Sequence, residues 1–89
     1  MKTTKVKIVG LSNRITGEKN GYKYDFAKVA FAYPSKQYDG MAVGTCTIGG
    51  DEMDEFKLHP GVEVECFLFW KSISEYEKVP YIGGIVRRV

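Results

Sequence analysis

The sequence predicts an all-β fold: a small closed barrel of five strands, with one short helix between strands 3 and 4. Three observations carry this. Apolar and polar residues alternate with a period of two in stretches bounded by turn signals, glycines sit within several of those stretches, and only residues 51–58 have helical character. The 89 residues make one domain, 1–89. With 44% hydrophobic and 13% aromatic residues, the chain can bury a core without metal or disulfide staples.

The first strand is residues 5–11, with Val6 and Ile8 on one face and Val9 and Leu11 on the other. Gly10, at that change of phase, marks a bulge or a bend. Residues 12–21 form a polar loop carrying Arg14, Gly17 and Lys19 and ending in Asn20-Gly21, a strong hairpin-turn signal. The second strand is 22–33. Residues 34–40 form a further turn, polar apart from Tyr38. The third strand, 41–48, has Gly44 as a candidate bend and ends at Gly49-Gly50. The helix, 51–58, starts with acids and has Lys57 near its end, as the helix dipole favours, and His59-Pro60-Gly61 stops it.

The fourth strand is 62–71. Val62, Val64, Cys66, Leu68 and Trp70 form one row, and Glu63, Glu65, Phe67 and Phe69 the other. The glutamates turn that second row outward, so Phe67 and Phe69 need cover from a partner subunit, a phase change or a ligand. Residues 72–80 form a polar loop with Tyr76, and 81–89 a fifth strand interrupted by Gly83-Gly84. This element order matches the five-stranded Greek-key barrel called the OB-fold, whose second and third strands and flanking loops bind oligonucleotides. An SH3-like barrel is the competing arrangement.

Charge is unevenly spread. Residues 1–36 hold eight Lys/Arg against Glu18 and Asp25, residues 37–70 hold Lys57 against seven acids, and residues 71–89 hold four Lys/Arg against Glu75 and Glu77. Such segregation suggests a polyanion-binding side and a solvated acidic side. Cys46 and Cys66 fit neither metal-ligand spacing nor a disulfide framework. With no leader-like start and no apolar run of membrane-spanning length, they point to a reducing cytoplasm.

Little suggests an enzyme. His59 is the single histidine and sits beside a proline in a turn, and neither cysteine has a base nearby in sequence. Asp51, Glu52, Asp54 and Glu55 lack calcium-loop spacing and read as a solvated helix start. No metal or other cofactor is implied.

The second strand carries the functional signal. One of its faces holds Tyr22, Tyr24, Phe26 and Lys28, with Lys19 and Lys23 close by; the other holds Ala27, Val29, Phe31 and Tyr33. Rings beside cations suit a single nucleic-acid strand, because bases stack on the rings while phosphates meet the charges. Aromatic residues also suit any half-buried pleated surface, and that reading makes them core or interface.

From Arg14 to Phe26 the chain resembles the filamentous-phage single-stranded DNA-binding proteins, the gene V protein family. Arg14, Lys19, Gly21 and Tyr24 stand where that family shows a basic residue, a second basic residue after a loop, a glycine and a tyrosine, with lysine at 19 in place of the usual arginine. Tyr38 resembles the tyrosine of the next connection after a one-residue gap, Pro60-Gly61 the Pro-Gly entering the family's fourth strand, and Arg87 or Arg88 its C-terminal arginine. The acidic segment 49–58 departs from the family. The resemblance implies a non-enzymatic, OB-like homodimer that coats single-stranded DNA with little sequence preference, in the host cytoplasm if phage-encoded. It implies phosphate contacts from Arg14, Lys19 and Arg87 or Arg88, and base stacking on Tyr24, Phe26 and Tyr38. Strand phase adds Lys23 and Lys28 to these sites, and RNA is the other ligand this chemistry accepts. The competing expectation is a protein-interaction barrel, a phage or mobile-element adaptor, using Phe67, Phe69 and the acidic surface 51–65.

Overall fold

The computed structural model describes residues 2–35 and 39–89. Its order is β1 (Thr4–Leu11), β2 (Ile15–Lys19), β3 (Tyr22–Pro34), β4 (Met41–Gly49), α1 (Gly50–Phe56), β5 (Glu63–Ser72) and β6 (Lys78–Arg88). The all-β class is as expected, but the described residues form six strands where five were expected. The additional one is β2, which lies in the segment read as loop. It holds a single large apolar residue, Ile15, and so shows no alternation. Asn20 (φ 53°) and Gly21 (φ 82°) both take left-handed backbone, as a two-residue type I′ turn requires. That turn sets β2 against β3 in a register running from Ile15 opposite Phe26 to Lys19 opposite Tyr22.

All six strands belong to one antiparallel sheet, in the order β2-β3-β1-β5-β6, with β4 paired to β3. The long β3 organises it. Its first part pairs with β2, its later part with β1, and residues 26–34 pair with β4. At Gly10 the β1–β3 register shifts, as the sequence suggested, and Val9 is pushed outward to 44% exposure. The bulge restores the phase after it, so Leu11 lies opposite Val29 and packs against the core rather than joining Val9 on the outer face.

The expected closure into a barrel is not made. β4 and β6 lie against each other, but among the described residues no ladder joins them. Pro80 of β6 is seated at Gly44 of β4, where a Cβ would come within 3.0 Å of the proline ring. Proline has no N–H to give a ladder. The backbone of the next core residue on β6, Ile82, lies beside the Cys46 thiol of β4.

Inside the sheet lie Val6, Ile8, Val29, Phe31, Val64 and Cys66, with Tyr33, Ile48, Leu58, Val62 and Ile82 around them. The inward row of β3 and the first part of the β5 row are as the period of two requires. Trp70, the last of the β5 row, has left the core: it is 53% exposed and meets Tyr33 edge-on at 5.7 Å. Helix α1 ends earlier than expected, at Phe56. Lys57 takes left-handed backbone (φ 49°), and the Leu58 N–H donates to the Met53 carbonyl at 3.1 Å. This is a Schellman-type stop, and it turns Leu58 into the core. Among the described residues no helix is long and apolar enough to cross a membrane.

Candidate nucleic-acid interface

Residues 22–26 of β3 and all of β2 form a two-stranded ribbon that continues β3 beyond the β1 pairing. Because Ala27, Val29, Phe31 and Tyr33 point into the core, the alternate row must point out. Tyr22 is 79% exposed and Tyr24 42%, Lys28 is exposed, and Phe26 is half-buried. The six-residue step from Tyr22 to Lys28 spans about 20 Å at roughly 3.3 Å per residue. Across the ribbon, Lys19 lies opposite Tyr22 and Ile15 opposite Phe26, so one outward face carries Lys19, Tyr22, Tyr24, Ile15, Phe26 and Lys28.

Gly17 stands opposite Tyr24 and leaves room for its ring, which lies where a Gly17 side chain would be. Phe26 is a second neighbour of the ring, with the Tyr24 and Phe26 centroids 6.1 Å apart and tilted by 42°. Two further bonds anchor the base of the row. Ser12 accepts the Lys28 N–H through its hydroxyl at 2.9 Å, and its own N–H donates to the Lys28 carbonyl at 2.9 Å. The Tyr24 ring is therefore both open to solvent and held in place.

Several of the cations expected at a ligand are placed otherwise. Arg14 lies at the root of the ribbon, where its guanidinium grips both oxygens of Asp25 and also reaches both oxygens of Asp54 on α1, at 2.9 and 3.0 Å. The hydrogen bonds from Arg14, aided by its charge, hold the Asp25 carboxyl below its ordinary range, and the two carboxylates push the Arg14 pKa up. An arginine engaged by two carboxylates is a clasp between strand and helix rather than a free phosphate donor.

Lys23 falls one residue out of phase, opposite Glu18 on the reverse side of the ribbon. Arg87 pairs with Glu65 at 3.3 Å, and β5 and β1 stand between it and β3 in the sheet. Arg88 lies 3.4 Å from His59 Nε2, while Nδ1 of that ring faces the Pro60 carbonyl at 3.1 Å. Tyr38 lies outside the described residues.

The charge blocks read from the sequence are partly interleaved by folding. Lys5 and Lys7 of β1 stand opposite Glu65 and Glu63 of β5. The helix acids are not simply solvated either. Glu52 is half-buried and accepts the Ile85 N–H at 3.2 Å, while Asp54 holds Arg14. Cover for Phe69 comes from within the chain: its ring fills the space above Gly83 and lies 5.8 Å from Tyr81. Bulges in the β5–β6 register make this possible by presenting Gly83 and Gly84 beneath the two phenylalanines. Among the described residues no three His, Cys, Asp or Glu side chains converge as a metal site would need.

Both thiols are shielded and held above their ordinary pKa by burial, Cys66 at about 11. A thiol so protonated is a poor nucleophile.

Comparison with protein-family models, with curated proteins and with solved structures finds no match to this chain.

Proposed function

We propose that this chain is a non-enzymatic single-stranded DNA-binding protein that holds its ligand on the outer face of the β2–β3 ribbon. One observation carries the reading. Tyr22, Tyr24 and Phe26 stand outward in a row between Lys19 and Lys28, while the alternate residues of the same strand form the core. Bases stack on the rings and the two lysines meet flanking phosphates. Every base has a π-face, so this chemistry carries little sequence preference, and RNA is the second ligand it accepts. Arg14 supports the site from beneath instead of touching the strand.

The finer fold reading is an OB-like sheet left open at one seam. It is supported by the connectivity: β3 beside β1, β1 beside β5, β5 beside β6, and a helix between β4 and β5. The resemblance of residues 14–26 to the phage single-stranded DNA-binding family points the same way and brings with it the proposal of a homodimer, working in the host cytoplasm if the chain is phage-encoded.

The direct test is a titration of the full chain with labelled oligothymidine at low and moderate salt, read by fluorescence anisotropy. Binding that weakens as salt rises is expected, with a log–log slope near −0.7 for each phosphate contacted. No binding at low salt overturns the proposal.

A further inference from the structure

The outer face beyond Lys28 is not flat. A hollow of about 260 Å³ lies between Lys28, Thr45 and Thr47, and one of about 360 Å³ between Ser12, Lys28, Ala30 and Thr45. Both share Thr45 with a larger groove of about 520 Å³ at the unzipped β4–β6 seam. There Thr45 and Thr47 form one wall, Val79 and Tyr81 the other, and Lys71 contributes its charge. The three depressions are neighbours around Thr45, and their lining residues run from the foot of the ring row across β4 to β6. Among the described residues no carboxylate lines these three, whereas the adjoining hollow that shares Thr45, Val79 and Pro80 with the seam groove includes Glu77 beside Lys78.

We infer that this run of depressions is a second subsite for the same single strand, with Lys71 and Tyr81 as its far contacts. The inference rests on the single-strand reading and extends it. Charge selects the occupant: lysines stand at both ends of an acid-free path, with exposed threonine hydroxyls between them. Amines and hydroxyls of this kind donate to phosphate oxygens. Tyr81 is 39% exposed and braced by Phe69, a ring held ready for a base. A peptide strand inserted into the seam is a poorer fit. It needs the two edges about 10 Å apart, two strand spacings, and the Gly44–Pro80 contact pinches them together.

The test compares a short oligothymidine of about four nucleotides with one of about twelve, both within the range of site sizes of such domains. Lys71→Gln and Tyr81→Leu are measured alone and together beside Tyr24→Ala, each first checked for an unchanged far-UV spectrum. The double variant should bind the long oligomer at least 10-fold more weakly and the short one as wild type does, and Lys71→Gln alone should flatten the long-oligomer salt slope by about 0.7. Tyr24→Ala should weaken both lengths. Wild-type binding of the long oligomer by the seam variants, with Tyr24→Ala still impaired, overturns the second subsite and leaves the ribbon reading standing. Failure of the wild-type protein to bind either length removes both.

Discussion

Nε and Nη2 of Arg14 donate to the two oxygens of Asp25, so the loop before β2 and the strand that carries the rings are clasped at their base. The same guanidinium turns its third nitrogen to Asp54, adding α1 to the clasp. Gly50, the first residue of α1, is buried against the Asp25 carboxylate with no space for a side chain. Ribbon and helix are thus tied at one point.

If Arg14 is a clasp, Arg14→Ala lowers affinity for oligothymidine by loosening the ribbon, yet leaves the salt slope unchanged. Its amide hydrogens at 15–19 and 22–26 should exchange faster while those of β5 do not. Arg14→Lys should not rescue, because an ammonium lacks the fork that spans two carboxylates. A slope flattened by about 0.7 would return Arg14 to the phosphate-contacting group.

The pH response of this clasp has a definite sign. Arg14 depresses the Asp25 carboxyl below the ordinary value of 3.8. The stabilisation is therefore complete above that pH and is lost as pH falls through the lower folded value. Thermal melts from pH 6 down to about 2 should show an acid loss of Tm that is smaller in Asp25→Asn, which starts lower and changes less. Equal acid sensitivity in the two proteins would assign that loss to other carboxylates.

Both thiols contribute to the alkaline behaviour, Cys66 with a thiol pushed by burial from the ordinary 9.0 to about 11 and Cys46 with one raised in the same direction. With the folded value above the unfolded one, stability is intact below pH 9 and declines as pH rises toward 11. Cys66→Ala should show less of this decline, at the cost of a small cavity. In Cys46→Ser, a thiol reagent at pH 8 should modify Cys66 only as fast as the protein opens, and rapid labelling of Cys66 in the folded protein would contradict its burial.

Much of this arrangement is legible in the sequence. The period of two separates Ala27, Val29, Phe31 and Tyr33 from Tyr22, Tyr24, Phe26 and Lys28, because a strand offers only two faces. Asn20-Gly21 and Gly10 announce the turn and the bulge through backbone demands that few residues meet. The illegible parts depend on distant partners. Arg14 looks like a free loop cation until Asp54, 40 residues on, is folded beside it. Lys23 looks like a neighbour of the rings until the register puts it opposite Glu18. The open seam follows from Pro80 meeting Gly44, and no local pattern announces that encounter.

Gly17 is the seat of the Tyr24 ring. Gly17→Ala places a methyl in space the ring occupies, so the ring must swing away. Affinity should fall by a few-fold, less than on removing the ring, while urea denaturation changes little because the ribbon lies outside the core. By contrast Phe31→Ala, at a fully buried position, should cost about 3–5 kcal/mol in the same denaturation series. Unchanged binding by Gly17→Ala, with Tyr24→Ala impaired, would show that the ring needs no fixed seat.

The sharpest measurement is the salt-dependent affinity of oligothymidine for wild type, Tyr24→Ala and Lys19→Ala, taken side by side. Removing the ring should weaken binding by about 5- to 150-fold, the equivalent of roughly 1–3 kcal/mol of stacking, with the wild-type slope retained. Removing the lysine should weaken binding less at moderate salt and flatten the slope by about 0.7. Wild-type affinity in Tyr24→Ala, or identical slopes in all three proteins, would contradict an outward face of rings and cations as the place where the strand is held.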